Sequence, residues 1–264
     1  VKDVSRRQYF ASLVETIVFR PGDTILAEQR MSRNLPNFSR LSSVEICGSN
    51  FEGARTENIK SLIVPSLRSW SIEHGDIQRR GDRETDDIAA MSALLTGCAT
   101  LSFLYIQMSC EPSLGPAVYE MLDAITDVEH IHLQRIGEIL HDTYSPEDLL
   151  QRLLCNKPKL ATLSFTHGLE FFEEDVDLFL ARMGSGCLVP SLRSFGRPVF
   201  NSSPAAVKLI DRMPDLEQLV LTVMDESGNW GNDLEHLFTF ISTLHQLEHL
   251  ELEINGENCD LEGS

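Results

Sequence analysis

The sequence predicts an α/β fold built as an irregular solenoid, with a parallel sheet on one face and helices on the other. Three observations predict it. A short apolar pattern recurs nine times along the 264 residues, helix punctuation sits between the copies, and one heptad is written twice. The heptad reads "VPSLRSW" at 64–70 and "VPSLRSF" at 189–195.

The recurring pattern is an apolar residue, two intervening positions, then apolar residues on alternate positions, as a short strand with one buried face requires. Its copies are Val14/Ile17/Phe19, Leu41/Val44/Ile46, Leu67/Trp70/Ile72, Leu101/Leu104/Ile106, Val128/Ile131/Leu133, Leu160/Leu163/Phe165, Leu192/Phe195, Leu216/Leu219/Leu221 and Leu247/Leu250/Leu252. The Leu192 copy is weaker, because "GRPVF" interrupts its third apolar position. Successive first positions lie 27, 26, 34, 27, 32, 32, 24 and 31 residues apart, the length of one strand-plus-helix unit. The echoed heptad is therefore a mark of repetition rather than a duplicated active site.

Helices are expected between the strands. In "SPEDLLQRLL" Ser145 stands as N-cap, Pro146 opens the helix, acids fill the first turn, and Leu149, Leu150, Leu153 and Leu154 share a face. "SSPAAVKLIDRMP" uses Ser203 and Pro204 in the same way and stops before Pro214. "NDLEHLFTFISTLHQL" sets Leu234, Leu237, Phe238 and Ile241 at helical spacing, and "DRETDDIAAMSALL" and "LGPAVYEMLDAI" supply two more helices. Prolines before the strands, as in "KPKL" and "MPDL", end each helix by removing a donor and restricting the preceding residue.

Composition narrows the function classes. With 40 acidic and 22 basic residues the formal charge is −18, which repels nucleic-acid phosphates and anionic lipid surfaces, so neither nucleic acid nor membrane is expected as a partner. No apolar run is long enough for a membrane helix, and "VKDVSRRQYF" is no secretory signal; a cytoplasmic or nuclear protein is expected. The sequons at Asn37 and Asn201 are discounted on the same ground. Cys47, Cys98, Cys110, Cys155, Cys187 and Cys259 show no metal-site spacing and read as reduced core thiols. The absence of an initial Met admits a fragment with sequence missing upstream. The end, "EINGENCDLEGS", offers no helical cap for the last strand and is compatible with further repeats.

Recognised enzyme motifs are absent: no G-x-S-x-G, no phosphate loop, no G-x-G-x-x-G and no H-E-x-x-H. "HGLEFFEEDVD" gathers five carboxylates but lacks the spacing of a calcium loop, and reads as the acidic start of a helix ending "FLARMG". No enzyme activity, cofactor or metal is predicted.

These features together resemble a divergent leucine-rich-repeat protein. Irregular units of 24 to 34 residues, "P-L-x-x-L" openings, the Trp in acidic "MDESGNWGND" and charged helices further resemble the repeat region of fungal F-box-type proteins. Most repeats lack the Asn that caps the inner turn in the strict pattern; Asn255 comes closest, and Cys110 stands where some repeats carry Cys. No F-box itself is seen. The resemblance implies a single domain, 1–264, of about nine strand–helix units, and a protein–protein interaction module selecting the substrate of an F-box-type ubiquitin ligase. The adaptor would be met only through an N-terminal F-box outside this sequence. A free-standing scaffold or inhibitory repeat protein is the alternative. A protein partner with a basic surface is expected from the charge, and the chain is expected to be a monomer.

The positions between the apolar ones should face outward. Most are small or polar, but two adjacent units place Phe103, Tyr105 and Gln107 beside His130, His132 and Gln134, followed by Thr162 and Ser164. Aromatic groups on such a face are either recognition anchors or are packed beneath a loop such as 107–115. "HIH" lacks a third ligand fixed by the pattern, so zinc is not expected.

Overall fold

A computed structural model describes residues 2–20, 38–47, 58, 61–74, 101–108, 115–134, 145–166, 170–184, 188–225 and 230–256. The chain divides into two compact units, Val1–Thr143 and Tyr144–Ser264. Both are α/β, and every strand pairing described within them is parallel.

The first unit runs α1 (Lys2–Ala11), β1 (Thr16–Phe19), β2 (Ser43–Cys47), β3 (Ser69–His74), β4 (Phe103–Met108), α2 (Gly115–Ala124) and β5 (His130–Gln134). Its strands lie side by side in chain order. The register keeps equivalent repeat positions together, so that Val44, Trp70, Leu104 and Ile131 form one row. All four are buried, as are Leu41, Leu67, Leu101 and Val128 at the first position of each unit. Val118, Met121, Leu122 and Ile125 carry this core into and just beyond α2. The helix expected over 82–95 lies outside the described residues.

The second unit runs α3 (Pro146–Leu154), β6 (Thr162–Thr166), β7 (Glu170–Phe171), α4 (Glu173–Met183), β8 (Ser194–Phe200), α5 (Ser203–Ile210), β9 (Gln218–Asp225), α6 (Trp230–Ile241) and β10 (His249–Gly256). Its strand order is β6-β8-β9-β10, with β7 pairing the far half of β8. Phe165, Phe171, Phe195 and Phe200 fill its core, Phe165 meeting Phe171 and Phe195 edge-on at 5.9 and 6.1 Å. The "GRPVF" stretch that weakens the seventh copy is strand all the same. A register shift between Gly196 and Val199 takes up one extra residue, and Arg197 has φ +57° there.

The doubled heptad has one structural job in both places. Leu67 N–H donates to Val64 O and Leu192 N–H to Val189 O, closing a turn whose second residue is Pro65 or Pro190. Ser66 Oγ donates to Leu41 O at 2.7 Å and Ser191 Oγ to Leu160 O at 2.9 Å, tying each turn to the preceding repeat. Arg68 and Arg193 fold their guanidinium groups back onto carbonyls of the same turn. Trp70 and Phe195 are buried in the core.

A second recurring device starts the strands. One carbonyl accepts two consecutive N–H groups of the next strand's first residues: Glu15 O from Ser42 and Ser43, Ser42 O from Arg68 and Ser69, Arg68 O from Ser102 and Phe103, and Ser102 O from Glu129 and His130. Ala161, Arg193 and Glu217 repeat it in the second unit. Main-chain groups thus register each repeat on the last in a chain poor in capping Asn.

One local expectation holds and two are corrected. Ser145 is the N-cap of α3, but its side chain makes no cap bond; the Ser145 carbonyl accepts from Asp148 and Leu149 instead. The cap of α5 is Ser202 rather than Ser203: Ser202 is extended and its Oγ accepts from Ala205 N–H at 3.3 Å, while Ser203 is already helical and buried. Phe238 of α6 is exposed, with Leu237 and Ile241 turned to the core. The acidic stretch does open α4: Asp175 accepts from Phe172 N–H, Glu173 and Asp177 hold Lys208 Nζ at 2.7 and 2.8 Å, and Gly184 ends the helix at φ +72°. α1 and the two-residue β7 were not expected from the apolar pattern.

Candidate functional site

On β4 and β5 the alternation that buries Leu104, Ile131 and Leu133 turns Phe103, Tyr105, His130 and His132 to the opposite face. The parallel register then sets Phe103 beside His130 and Tyr105 beside His132. The Tyr105 ring and the His132 imidazole are stacked, centroids 4.8 Å apart and planes 3° from parallel. Tyr105 Oη donates to Gln134 Oε1 at 2.9 Å, fixing the phenol from its far end. Phe103 and His130 are tilted at 6.2 Å. The four rings make two cross-strand pairs, one row above the other.

Their exposure differs. Tyr105, His130 and His132 are half-buried, whereas Phe103 is 37% exposed, a large apolar ring open to solvent on the middle strands of this unit. The adjoining positions on β3 are small, Ser69 beside Phe103 and Ser71 beside Tyr105; beyond them β2 places Ser43 and the longer, charged Glu45. Strands are about 4.8 Å apart, so the serines of β3 leave a step about one strand wide against the flank of the aromatic pairs. Glu45 accepts a bond from the Cys47 thiol at 3.3 Å, placing a carboxylate beyond that step.

The remaining residues of the expected surface are distributed as follows. Gln107 pairs in register with Glu73 and Gln134. Thr162 and Ser164 belong to the second unit, on β6, beside Ser194 and Gly196 of β8. There a close approach rules: a Cβ on Gly196 would stand 3.0 Å from Ser164 Cβ. Residues 109–114 of the loop considered as a cover lie outside the described residues.

Among the described residues no group of three or more His, Cys, Asp or Glu could hold a metal ion, and no helix is long and apolar enough to cross a membrane. Cys47 and Cys155 are half-buried; the other four cysteines lie outside the described residues. The sequon residue Asn201 follows β8, where its N–H donates to Phe171 O; Asn37 lies outside the described residues.

The apolar pattern gave no warning of Lys157. It is buried, and desolvation brings its ammonium down to about 8, with the Arg152 charge adding to the fall and Cys155 opposing it. Burial also pushes the Cys155 thiol up, Lys157 opposing, and its sulfur lies 3.3 Å from Met183 Sδ. Lys157 stands in the turn "CNKPKL", where the preceding Asn156 takes φ +60°.

No protein-family model matches this chain, and no curated protein matches it.

Proposed function

We propose that the chain is a protein–protein interaction module of the leucine-rich-repeat kind, and that it forms the substrate-recognition region of an F-box-type ubiquitin-ligase subunit. The observation that carries the interaction reading is Phe103: a partly exposed aromatic ring, braced by His130, beside a stacked Tyr105/His132 pair and the serines of β3. Rigid, half-exposed aromatic groups contribute area at low entropic cost and are favoured as anchors. The alternation of short parallel strands with helices at 24 to 34 residue spacing supports the repeat assignment. The ubiquitin part rests on the sequence resemblance alone.

Both parts are testable together. A photo-crosslinking phenylalanine analogue at position 103, in the protein expressed in its own cells, is expected to capture a discrete partner, and Tyr105→Ala is expected to abolish capture. A cullin-type adaptor is expected to co-precipitate, and the captured partner to turn over faster than in a Phe103→Ala strain; absence of both would leave a free-standing scaffold. Capture unaffected by Tyr105→Ala, or equal from an outward position on α2, overturns the site itself.

A further inference from the structure

The open face of the first unit carries a carboxylate that the chain leaves without a cation. Glu45 is half-buried on β2, two strands from Phe103 and one row along the sheet. Its Oε1 accepts from the Cys47 thiol at 3.3 Å, and among the described residues no Lys or Arg pairs with it. Other partly exposed carboxylates do find a cation: Asp148 meets Arg182, and Glu173 meets Lys208. One bond from a thiol leaves most of the acceptor capacity of a carboxylate unused.

Hydroxyls line the space between. Ser69 and Ser71, on β3, separate β2 from β4, and among the described residues neither side chain has a hydrogen-bond partner. None of Glu45, Ser69, Ser71 and Phe103 is buried, so solvent reaches the step from one side to the other. The outward positions described on β1 to β5 contain no Lys and no Arg. The step therefore combines a negative charge, two hydroxyls and a partly exposed aromatic ring, and supplies no permanent positive charge of its own.

We propose that this step seats an arginine side chain of the partner protein, with Phe103 on one side of the guanidinium, Glu45 on the other and the β3 serines beneath; the assignment rests on the recognition role proposed for the Phe103 face. A guanidinium is planar, so it can lie over an aromatic ring, within about 6 Å of the centroid, while its N–H fork meets a carboxylate. Adjacent strands stand about 4.8 Å apart, which separates Phe103 and Glu45 by about 10 Å across the sheet and leaves room for one guanidinium between their side chains. Its remaining N–H groups donate to the serine hydroxyls. Lys fits less well, because an ammonium is a compact, strongly hydrated charge with no plane to stack. An acidic anchor is repelled by Glu45 and by the formal charge of −18, and a purely apolar one would cover the carboxylate without compensation. Phe103 supplies contact area, and Glu45 sets the specificity.

The probe is a library of random heptapeptides selected against the whole protein and counter-selected against Phe103→Ala. The retained peptides are expected to share an Arg at one position and to bind Glu45→Gln at least about tenfold more weakly than the parent. Replacing that Arg by citrulline, which keeps the shape and removes the charge, should cost as much, and replacing it by Lys should cost less. Glu45→Gln is isosteric at a position that solvent reaches, so the melting temperature should change little; the citrulline peptides test the same charge on the unaltered protein. Phe103-dependent peptides that share no Arg, or that bind Glu45→Gln as tightly as the parent, overturn this inference and leave the recognition role of Phe103 standing. A library that yields no Phe103-dependent peptide overturns both.

Discussion

Tyr105 and His132 lie face to face across β4 and β5, 4.8 Å between centroids, with the Tyr105 hydroxyl held by Gln134. Stacked pairs of this kind contribute about 0.5–1.5 kcal/mol beyond the area they bury. A double-mutant cycle of Tyr105→Ala and His132→Ala, followed by urea unfolding, should return a coupling of that size. Tyr105→Phe should cost about 0.5–1.5 kcal/mol through the lost hydrogen bond alone, and the same substitution in a Gln134→Ala background should cost less. A coupling near zero would mean that the two rings are independent side chains rather than one braced surface.

Gly196 is set by contact with its neighbour strand, not by its backbone angles. An added Cβ would meet Ser164 Cβ at 3.0 Å and Ser164 Cα at 3.6 Å, on paired strands that cannot separate cheaply. Gly196→Ala should therefore destabilise by about 1–3 kcal/mol, the usual range for overpacking. Ser164→Gly placed on top of it should be less costly than Ser164→Gly alone, because it removes the atom that clashes. Strictly additive effects in thermal or urea melts would argue against the contact.

The two heptads should behave alike under mutation. Ser66→Ala and Ser191→Ala each remove a hydroxyl that donates to the carbonyl of the first Leu of the preceding repeat, Leu41 or Leu160. Each is expected to cost about 1 kcal/mol. Trp70→Ala and Phe195→Ala, which empty core positions, should cost about 3–5 kcal/mol each. A serine substitution that abolished a binding activity while leaving the melting temperature untouched would contradict the structural role given to the repeat.

Strands were legible because burial imposes a period of two, and Leu41/Val44/Ile46 or Leu216/Leu219/Leu221 display it without interruption. The same alternation assigned Phe103, Tyr105, His130 and His132 to one face, and parallel pairing in register did the rest. The caps were less legible, since Ser202 and Ser203 are chemically equal and only the local backbone decides which one bonds. α1 escaped the reading because Tyr9 and Phe10 at its end are exposed rather than part of an apolar stripe. Lys157 escaped because nothing in residue type announces a buried ammonium; its burial is revealed only by the folded chain.

That buried ammonium gives a pH signature. Lys157 has a folded-state value of about 8 against 10.5 for the exposed group. Between these values the unfolded chain binds more protons than the folded one, so this group makes stability rise with pH across the window. Below pH 8 both states are protonated and the contribution is flat at its least favourable; above 10.5 both are neutral and it is flat again. Lys157→Met removes the titrating group while keeping an unbranched side chain of similar length. Unfolding free energies of the parent minus the variant should thus be constant from pH 6 to about 7.5, then climb by about 1 kcal/mol per pH unit toward pH 10. Parallel curves would show that Lys157 reaches solvent, and a difference that falls with rising pH would mean that an ion pair, rather than desolvation, governs its charge.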